Sequence, residues 1–180
     1  MERKTTLSLS TAAIFASLYA VAVVVFAPVS FQIPQVRVAD ALLPLAILFG
    51  WPAVLGYSLG AMIANFFGGL GFVDIVGGTS ANFLATYVAW RIGQRQMKSG
   101  WLVATAVEIL LVTAIVGSYL SYLFQIPLQV GLLDVLLGSL VSIGFLGYPL
   151  LLLLSRPAIT NQLKSRGLCL SVPQKEDMSE

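Results

Sequence analysis

The sequence predicts an all-α, polytopic membrane protein, and its composition, its long apolar runs and the distribution of its basic residues each indicate this class. Hydrophobic side chains make up 58% of the 180 residues and charged side chains 10%, whereas charged residues are about a quarter of a typical soluble domain. A helix crosses a hydrocarbon core of about 30 Å with about 20 apolar residues. We therefore predict one multi-pass domain in the cell membrane, in contact with lipid, over residues 1–155, and a polar cytoplasmic tail at 156–180.

The helices follow in chain order from the apolar runs and the residues that interrupt them. The runs cover residues 8–27, 40–67, 73–90, 101–124 and 131–154. The first run is longer than the apolar core of a secretory signal, so we interpret it as a retained helix. Gly50-Trp51-Pro52 interrupts the second run and is compatible with either a turn or a kink in one long helix, and the glycine-rich segment 68–71 ends that run.

The basic residues decide between a turn and a kink at Trp51-Pro52. Cytoplasmic loops of membrane proteins carry an excess of Lys and Arg. A turn gives six spans and puts nine of the ten Lys and Arg residues, at both termini and in the loop 91–100, on the cytoplasmic side. A kink gives five spans and moves that loop and the tail outside. We therefore predict six transmembrane helices with both termini cytoplasmic, the second and third helices being short.

The composition also argues against several classes of function. Histidine is absent and Cys169 is the single cysteine, which excludes Ser-His and Cys-His nucleophilic sites and the zinc-protease helix. We therefore predict that the chain is not an enzyme and holds no metal or cofactor. A net charge of +2 with dispersed basic residues disfavours nucleic acid as a partner. No phosphate-binding loop pattern occurs, so the chain does not hydrolyse ATP by that route.

Acidic residues lie where predicted helices begin near the outer leaflet. With six spans, Asp40, Asp74 and Asp134 each open a helix there, and Arg37, the one basic residue placed outside, precedes Asp40 by three positions. Ionisable groups in a membrane are costly and mark functional sites by default. Capping of a helix N-terminus is the alternative role for each Asp, and the sequence leaves it open.

Two amides and a deeper carboxyl group extend this polar set. Asn65 lies near the outer end of the third helix, and Asn82 lies about 12 Å below Asp74 along the fourth. Asp74, Gly78, Asn82 and Ala85 lie on one face of the fourth helix. This face fits either a flat ligand or close helix packing at Gly78 and Ala85. Glu108 lies roughly 10 Å into the bilayer, either as a functional acid or as a protonated structural one. The candidate substrate-binding residues are Arg37, Asp40, Asn65, Asp74, Asn82 and Asp134.

Small residues form strips along two of the predicted helices. Ala12, Ala16 and Ala20 occupy every fourth position of the first helix, and Gly56 and Gly60 have the same spacing in the third. Such strips let helices approach closely in a membrane, where van der Waals packing drives association. The alanine strip therefore serves either packing within the chain or docking to another protein.

Two segments carry a resemblance to a known family. Residues 37–42 (RVADAL) and 60–78 (GAMIANFFGGLGFVDIVGG) resemble the QueT family, membrane proteins assigned to the uptake of queuosine precursors. Its members are similar to the substrate-binding (S) components of energy-coupling factor (ECF) transporters. The resemblance implies six helices, a substrate site near the extracellular face, and docking through the first helix onto a membrane scaffold, the T component, driven by two ATPase subunits. It assigns partner docking to the strip of Ala12, Ala16 and Ala20.

The residues and the resemblance together predict the S component of an ATP-driven importer that captures a 7-deazaguanine base (preQ0, preQ1 or queuine). A carboxylate accepts hydrogen bonds from a ring N–H and an exocyclic amino group together, and an amide reads the carbonyl edge. The cationic aminomethyl group of one such precursor favours a second carboxylate. The alternatives are an S component for another vitamin and a stand-alone proton-coupled carrier that uses Glu108.

Overall fold

A computed structural model of the chain describes residues 2–30, 36–95, 99–165, 168, 170 and 171. Within these residues every regular element is a helix, which confirms the all-α class. The helices are α1 Glu2–Val25, α2 Val38–Phe49, α3 Trp51–Gly68, α4 Phe72–Gly93, α5 Gly100–Phe124, α6 Leu128–Leu154 and α7 Pro157–Ser165, with a helical turn at Ala27–Ser30.

Three helical segments in the described part of the chain are long and apolar enough to cross a membrane. They are Thr5–Val25, Gly100–Phe124 and Leu128–Leu154. α3 has 18 residues and α4 has 22, so at 1.5 Å per residue they are about 27 and 33 Å long, but both carry buried polar residues. α2 is apolar and shorter. The chain is thus a helical membrane protein, and the arrangement of six spans with both termini cytoplasmic stays a prediction.

Glycines make the two sharp turns around α3. Gly50, between α2 and α3, has a φ of +66°, and Gly69 and Gly71, between α3 and α4, have φ values of +73° and +96°. Glycine reaches these positive values without a steric penalty. Pro52 lies in the first turn of α3, where a missing N–H leaves no helical hydrogen bond unmade. The backbone therefore leaves helical geometry at Gly50, which favours a turn there over one long kinked helix.

α1 packs along α3 through the two strips of small residues. Ala12, Ala16 and Ala20 are buried, with 7–8% of each residue exposed. A Cβ atom added to Gly56 would lie 2.7 Å from the carbonyl oxygen of Ala12, and one added to Gly60 would lie 2.7 Å from that of Ala16. The backbones approach so closely that only glycine fits. The alanine strip predicted to dock a partner is therefore inaccessible in this arrangement, because α3 covers it.

Two irregular helices face each other in the bundle. α2 is a 3-10 helix over Val38–Leu45, and α6 is a π-helix over Leu140–Gly147. These segments pack together, and a Cβ atom at Gly147 would lie 2.8 Å from the carbonyl oxygen of Ala41. Such departures from α-helical geometry often occur at functional sites. They bring the start of α2 close to the middle of α6.

The segment predicted as a polar tail contains the helix α7. Beyond it, the backbone N–H of Ser171 donates a 2.6 Å hydrogen bond to the carbonyl oxygen of Leu48, so this part of the chain returns to the end of α2. Cys169 and residues 172–180 lie outside the described residues, as do residues 96–98 of the predicted basic loop.

Candidate functional site

Three of the predicted substrate-binding residues line one small cavity inside the bundle. Arg37 precedes α2, Asp40 lies in its first turn, and Asn82 lies in the middle of α4. All three are buried, with 6%, 5% and 2% of the residue exposed. The other lining residues come from α5 and α6 and are Val112, Val116, Val135, Gly138 and Ser139. The cavity therefore has one polar wall and one apolar wall.

The carboxyl group of Asp40 is held by a tyrosine and a guanidinium group. The Tyr19 hydroxyl of α1 donates a 2.5 Å hydrogen bond to Asp40 Oδ1, and Arg37 interacts electrostatically with the same carboxyl group. The N-cap of α2 is Arg37, without a side-chain capping bond. Asp40 thus lies in the first helical turn and faces side chains, and the N-cap role considered for it is wrong.

Asn82 connects α4 to α3 at the level of Asp40. Its Nδ2 lies 3.4 Å from the backbone carbonyl oxygen of Tyr57, a long hydrogen bond, and its side chain also interacts with Tyr19. A weak bond of this length is easily exchanged for a stronger one. The amide of Asn82 is therefore placed to contact a molecule in the cavity.

Asp74 and Asn65 form a second polar pair. Asn65 Nδ2 donates a 2.9 Å hydrogen bond to the backbone carbonyl of Asp74, and the Tyr119 hydroxyl donates a 2.8 Å bond to Asp74 Oδ1. Arg37 interacts electrostatically with Asp74 as well as with Asp40, which links the two polar groups. A Cβ atom at Gly78 would overlap the Asn65 amide. This helix face is thus occupied by α3, which supports the packing alternative at Gly78.

Asp134 differs from Arg37, Asp40 and Asn82 in that it does not line the cavity. α6 begins at Leu128, so Asp134 lies in its second turn, and the prediction that it opens the helix is wrong. It is only half-buried and is not among the described residues that line the cavity. The helix starts earlier than predicted, with Pro127 as its N-cap and the Pro127 carbonyl oxygen accepting hydrogen bonds from the N–H groups of Val130 and Gly131. Asp134 therefore does not itself line the cavity, although its neighbour Val135 does, and its role in binding stays a prediction.

Glu108 lies in the protein interior close to the site. It is fully buried, and neither of its carboxyl oxygens has a hydrogen-bond partner among the described residues. The Tyr57 hydroxyl is also buried without such a partner, and Glu108 interacts electrostatically with both Tyr57 and Asp40. Most buried polar groups in proteins are hydrogen-bonded. This pair is therefore an exception that asks for an explanation.

Sequence reasoning missed the tyrosines and the serine of the site. Tyr19, Tyr57 and Tyr119 surround the acidic residues, and Ser139 lines the cavity. A tyrosine hydroxyl buried in an apolar bundle needs a hydrogen-bond partner. Tyrosines within the predicted spans were thus the signal that could have identified them.

The cavity is small in this structure. Its volume is about 20 Å³, enough for a single water molecule, whereas pockets that bind small molecules have about 300 to 1,000 Å³. A base-sized ligand therefore requires the helices around the cavity to move apart. No group of three or more potential metal ligands occurs among the described residues.

Comparison with known proteins gives a family match. The model of the QueT transporter family matches residues 9–156, which is most of the chain and includes every polar residue of the site. Neither a curated protein nor a solved structure matches the chain.

Proposed function

Because this chain belongs to the QueT transporter family, we propose that it is the substrate-binding component of an importer for a queuosine precursor, a 7-deazaguanine base. The observation that carries this proposal is the buried group of Arg37, Asp40 and Asn82 at a cavity enclosed by α2, α4, α5 and α6. Charged groups are rare inside membrane bundles, and they mark substrate or ion pathways.

The chemistry of these side chains suits a guanine-like base. The Asp40 carboxylate accepts two hydrogen bonds from the ring N–H and the exocyclic amino group, while Arg37 donates to the carbonyl oxygen on the neighbouring edge. Hydrogen bonds to charged partners are about twice as strong as neutral ones. Val112 and Val116 offer an apolar surface to the flat ring from the opposite wall.

We assign the supply of energy to separate ATPase subunits, acting through a scaffold T component. This assignment agrees with the lack of a phosphate-binding loop in the sequence. The outward face of α1, with the exposed small residues Ala13 and Ser17, is the part of this helix that a scaffold helix can reach. We therefore move the proposed docking surface from the buried strip of Ala12, Ala16 and Ala20 to this face.

Direct binding tests the proposed substrate. The purified protein in lipid nanodiscs is titrated calorimetrically with 7-cyano-7-deazaguanine, 7-aminomethyl-7-deazaguanine, queuine and a panel of vitamins. We expect saturable binding of at least one deazaguanine and none of the vitamins. Binding of a vitamin alone would instead support the alternative of an S component with a different substrate.

Uptake with and without partners tests the mechanism. Cells that produce the protein alone are compared with cells that also produce an ECF scaffold and its two ATPase subunits. We expect uptake of the base only with the complete set. Uptake by the protein alone, abolished by a proton uncoupler, would instead support the proton-coupled carrier that the buried Glu108 permits.

A further inference from the structure

Glu108 and Tyr57 are polar groups inside the bundle that have no function in the site described above. Both are fully buried, and among the described residues neither the two carboxyl oxygens nor the Tyr57 hydroxyl has a hydrogen-bond partner. An unpaired charged carboxylate in such surroundings is very costly. Within the described part of the chain, the packing around Glu108 offers its carboxylate no hydrogen-bond donor, whereas a ligand that carries such donors would bond to it.

The register of α5 puts Glu108 in line with the cavity. Val116, Val112 and Glu108 follow one another at intervals of four residues, so they lie on one face of the helix, and all three are buried. The two valines line the cavity. Glu108 is one turn further along this face, about 6 Å from the level of Val112. Glu108 itself does not line the cavity, and it continues the buried face of α5 one turn beyond the valine wall.

The balance of charge favours a cation at Glu108. Arg37 is the one basic side chain among the buried residues that the structure describes, and it interacts electrostatically with Asp40 and Asp74. Glu108 is a third buried carboxyl group, and its interactions are with Asp40 and Tyr57. An ammonium group carries three donors and one positive charge, which complements a carboxylate and a tyrosine oxygen together.

We propose that Glu108 and Tyr57 form the inner end of the ligand site and bind a cationic amine, so that the substrate is a deazaguanine base with an aminomethyl arm. The ring lies between Asp40 and the valine wall, and the arm extends inward to the Glu108 carboxylate. This inference rests on the proposed function, because it takes the ring to be held at Asp40.

Two bases that share one ring and differ in the substituent test the proposal. The full-length protein in nanodiscs is titrated with 7-aminomethyl-7-deazaguanine, which is cationic, and with 7-cyano-7-deazaguanine, which is neutral. The variants are Glu108→Gln and Tyr57→Phe. Thr113→Val is the matched control, since Thr113 is a buried neighbour on α5 whose hydroxyl likewise has no hydrogen-bond partner among the described residues.

We expect the wild-type protein to prefer the aminomethyl base. Glu108→Gln should lower the affinity for that base by about 30-fold or more and the affinity for the cyano base by less than about 3-fold. Tyr57→Phe should lower the affinity for the aminomethyl base by about 10-fold or more, as expected for the loss of one hydrogen bond to a charged group. Thr113→Val should leave both affinities within about 3-fold, because it removes no bond.

The outcomes separate this inference from the proposed function. An equal loss for both bases in Glu108→Gln, or no loss for either, overturns the inference and leaves the proposed function standing. A wild-type protein that binds neither of these bases nor queuine overturns both. Should Glu108→Gln fail to fold, Glu108→Asp replaces it, since Asp keeps the charge but has a shorter reach. A preference for the aminomethyl base that neither Glu108→Asp nor Tyr57→Phe reduces then overturns the inference.

Discussion

The two carboxylates Asp40 and Asp74 differ in their position relative to the cavity, although a tyrosine hydroxyl donates a hydrogen bond to each. Asp40 lines the cavity and accepts one hydrogen bond, from Tyr19. Asp74 accepts a bond from Tyr119, and its backbone carbonyl holds Asn65. A carboxylate has about four acceptor positions, so Asp40 can bind a ligand without giving up the tyrosine. Asp74 lies outside the cavity lining, but its Oδ2 is buried without a hydrogen-bond partner among the described residues, so its contact with a ligand stays a prediction.

The charge of Asp40 should matter for binding, while that of Asp134 should not. We predict that Asp40→Asn lowers the affinity for the deazaguanine base by about 2 to 5 kcal/mol, or 30-fold to several thousand-fold, because a buried charged partner is lost. Asn still accepts the hydrogen bond from Tyr19, so the fold should persist. Calorimetric titration in nanodiscs measures the affinity.

Asp134→Asn is the matched control for this change. It makes the same substitution at a half-buried acid that does not line the cavity, so its affinity should stay within about 3-fold of wild type. Unchanged affinity in Asp40→Asn, or an equal loss in both variants, would contradict the assignment of the site to the start of α2.

The sequence could identify the acids of the site but not the groups that hold them. Asp40 and Asp74 stand out because a charge in an apolar chain is rare and costly. Tyr19 and Tyr57 look like ordinary members of apolar runs, and only the packing of α1 and α3 brings them to Asp40 and Glu108. Asp134 was predicted from its charge in the same way, and it lies next to the lining residue Val135 without lining the cavity itself.

At the level of helices, glycine decides how closely α1 and α3 pack. We predict that Gly60→Ala destabilises the protein by about 1 to 3 kcal/mol, because the added Cβ atom would lie 2.7 Å from the carbonyl oxygen of Ala16 and the helices must separate. Thermal unfolding in detergent, followed by circular dichroism, should show a lower Tm.

Gly144→Ala makes the same change where there is room. Its Cβ atom would approach Ile109 Cδ1 at 3.5 Å, an ordinary van der Waals distance, so the Tm should be nearly unchanged. Equal Tm values for the two variants would show that the strips do not set the distance between α1 and α3.

The two faces of α1 should respond differently to a bulky residue. We predict that Ser17→Trp, on the exposed face, blocks uptake that depends on the scaffold and ATPase subunits while binding of the base to the isolated protein is retained. Ala16→Trp should lower the Tm and binding together, because Ala16 contacts the backbone of Gly60. Uptake and binding are measured on the same preparations. Normal binding with lost uptake in Ala16→Trp would return the docking surface to the alanine strip.

Helix boundaries were more predictable than helix types. Glycine and proline at residues 50–52 and 68–71 predicted the ends of α2 and α3, because positive φ values require glycine there. The 3-10 geometry of α2 and the π geometry of α6 were not predicted. They depend on the contact between these two helices, as at Gly147 and Ala41, and no periodicity in either sequence encodes that contact.

For the whole molecule, the placement of α2, α3 and α4 in a membrane needs an explanation. α2 is short, and α3 and α4 each carry buried polar residues. Polar residues on these helices face the bundle, as Asn65 and Asn82 are buried. Exposed large side chains such as Leu59, Met62 and Leu84 are apolar and suit contact with lipid. α3 and α4 can therefore carry polar residues within a membrane, because the neighbouring helices of the bundle shield these residues from lipid.

Labelling of single cysteines should establish the orientation of the molecule. In a Cys169→Ser background, we predict that Gln129→Cys reacts with a membrane-impermeant maleimide added to intact cells, whereas Ser99→Cys reacts only after permeabilisation. The reason is the predicted cytoplasmic location of the basic residues that precede Ser99, including Arg91 and Arg95. Both positions are exposed, so burial in the protein cannot account for a difference between them. Labelling of Ser99→Cys from outside would overturn the six-span topology and, with it, the placement of the substrate site near the extracellular face.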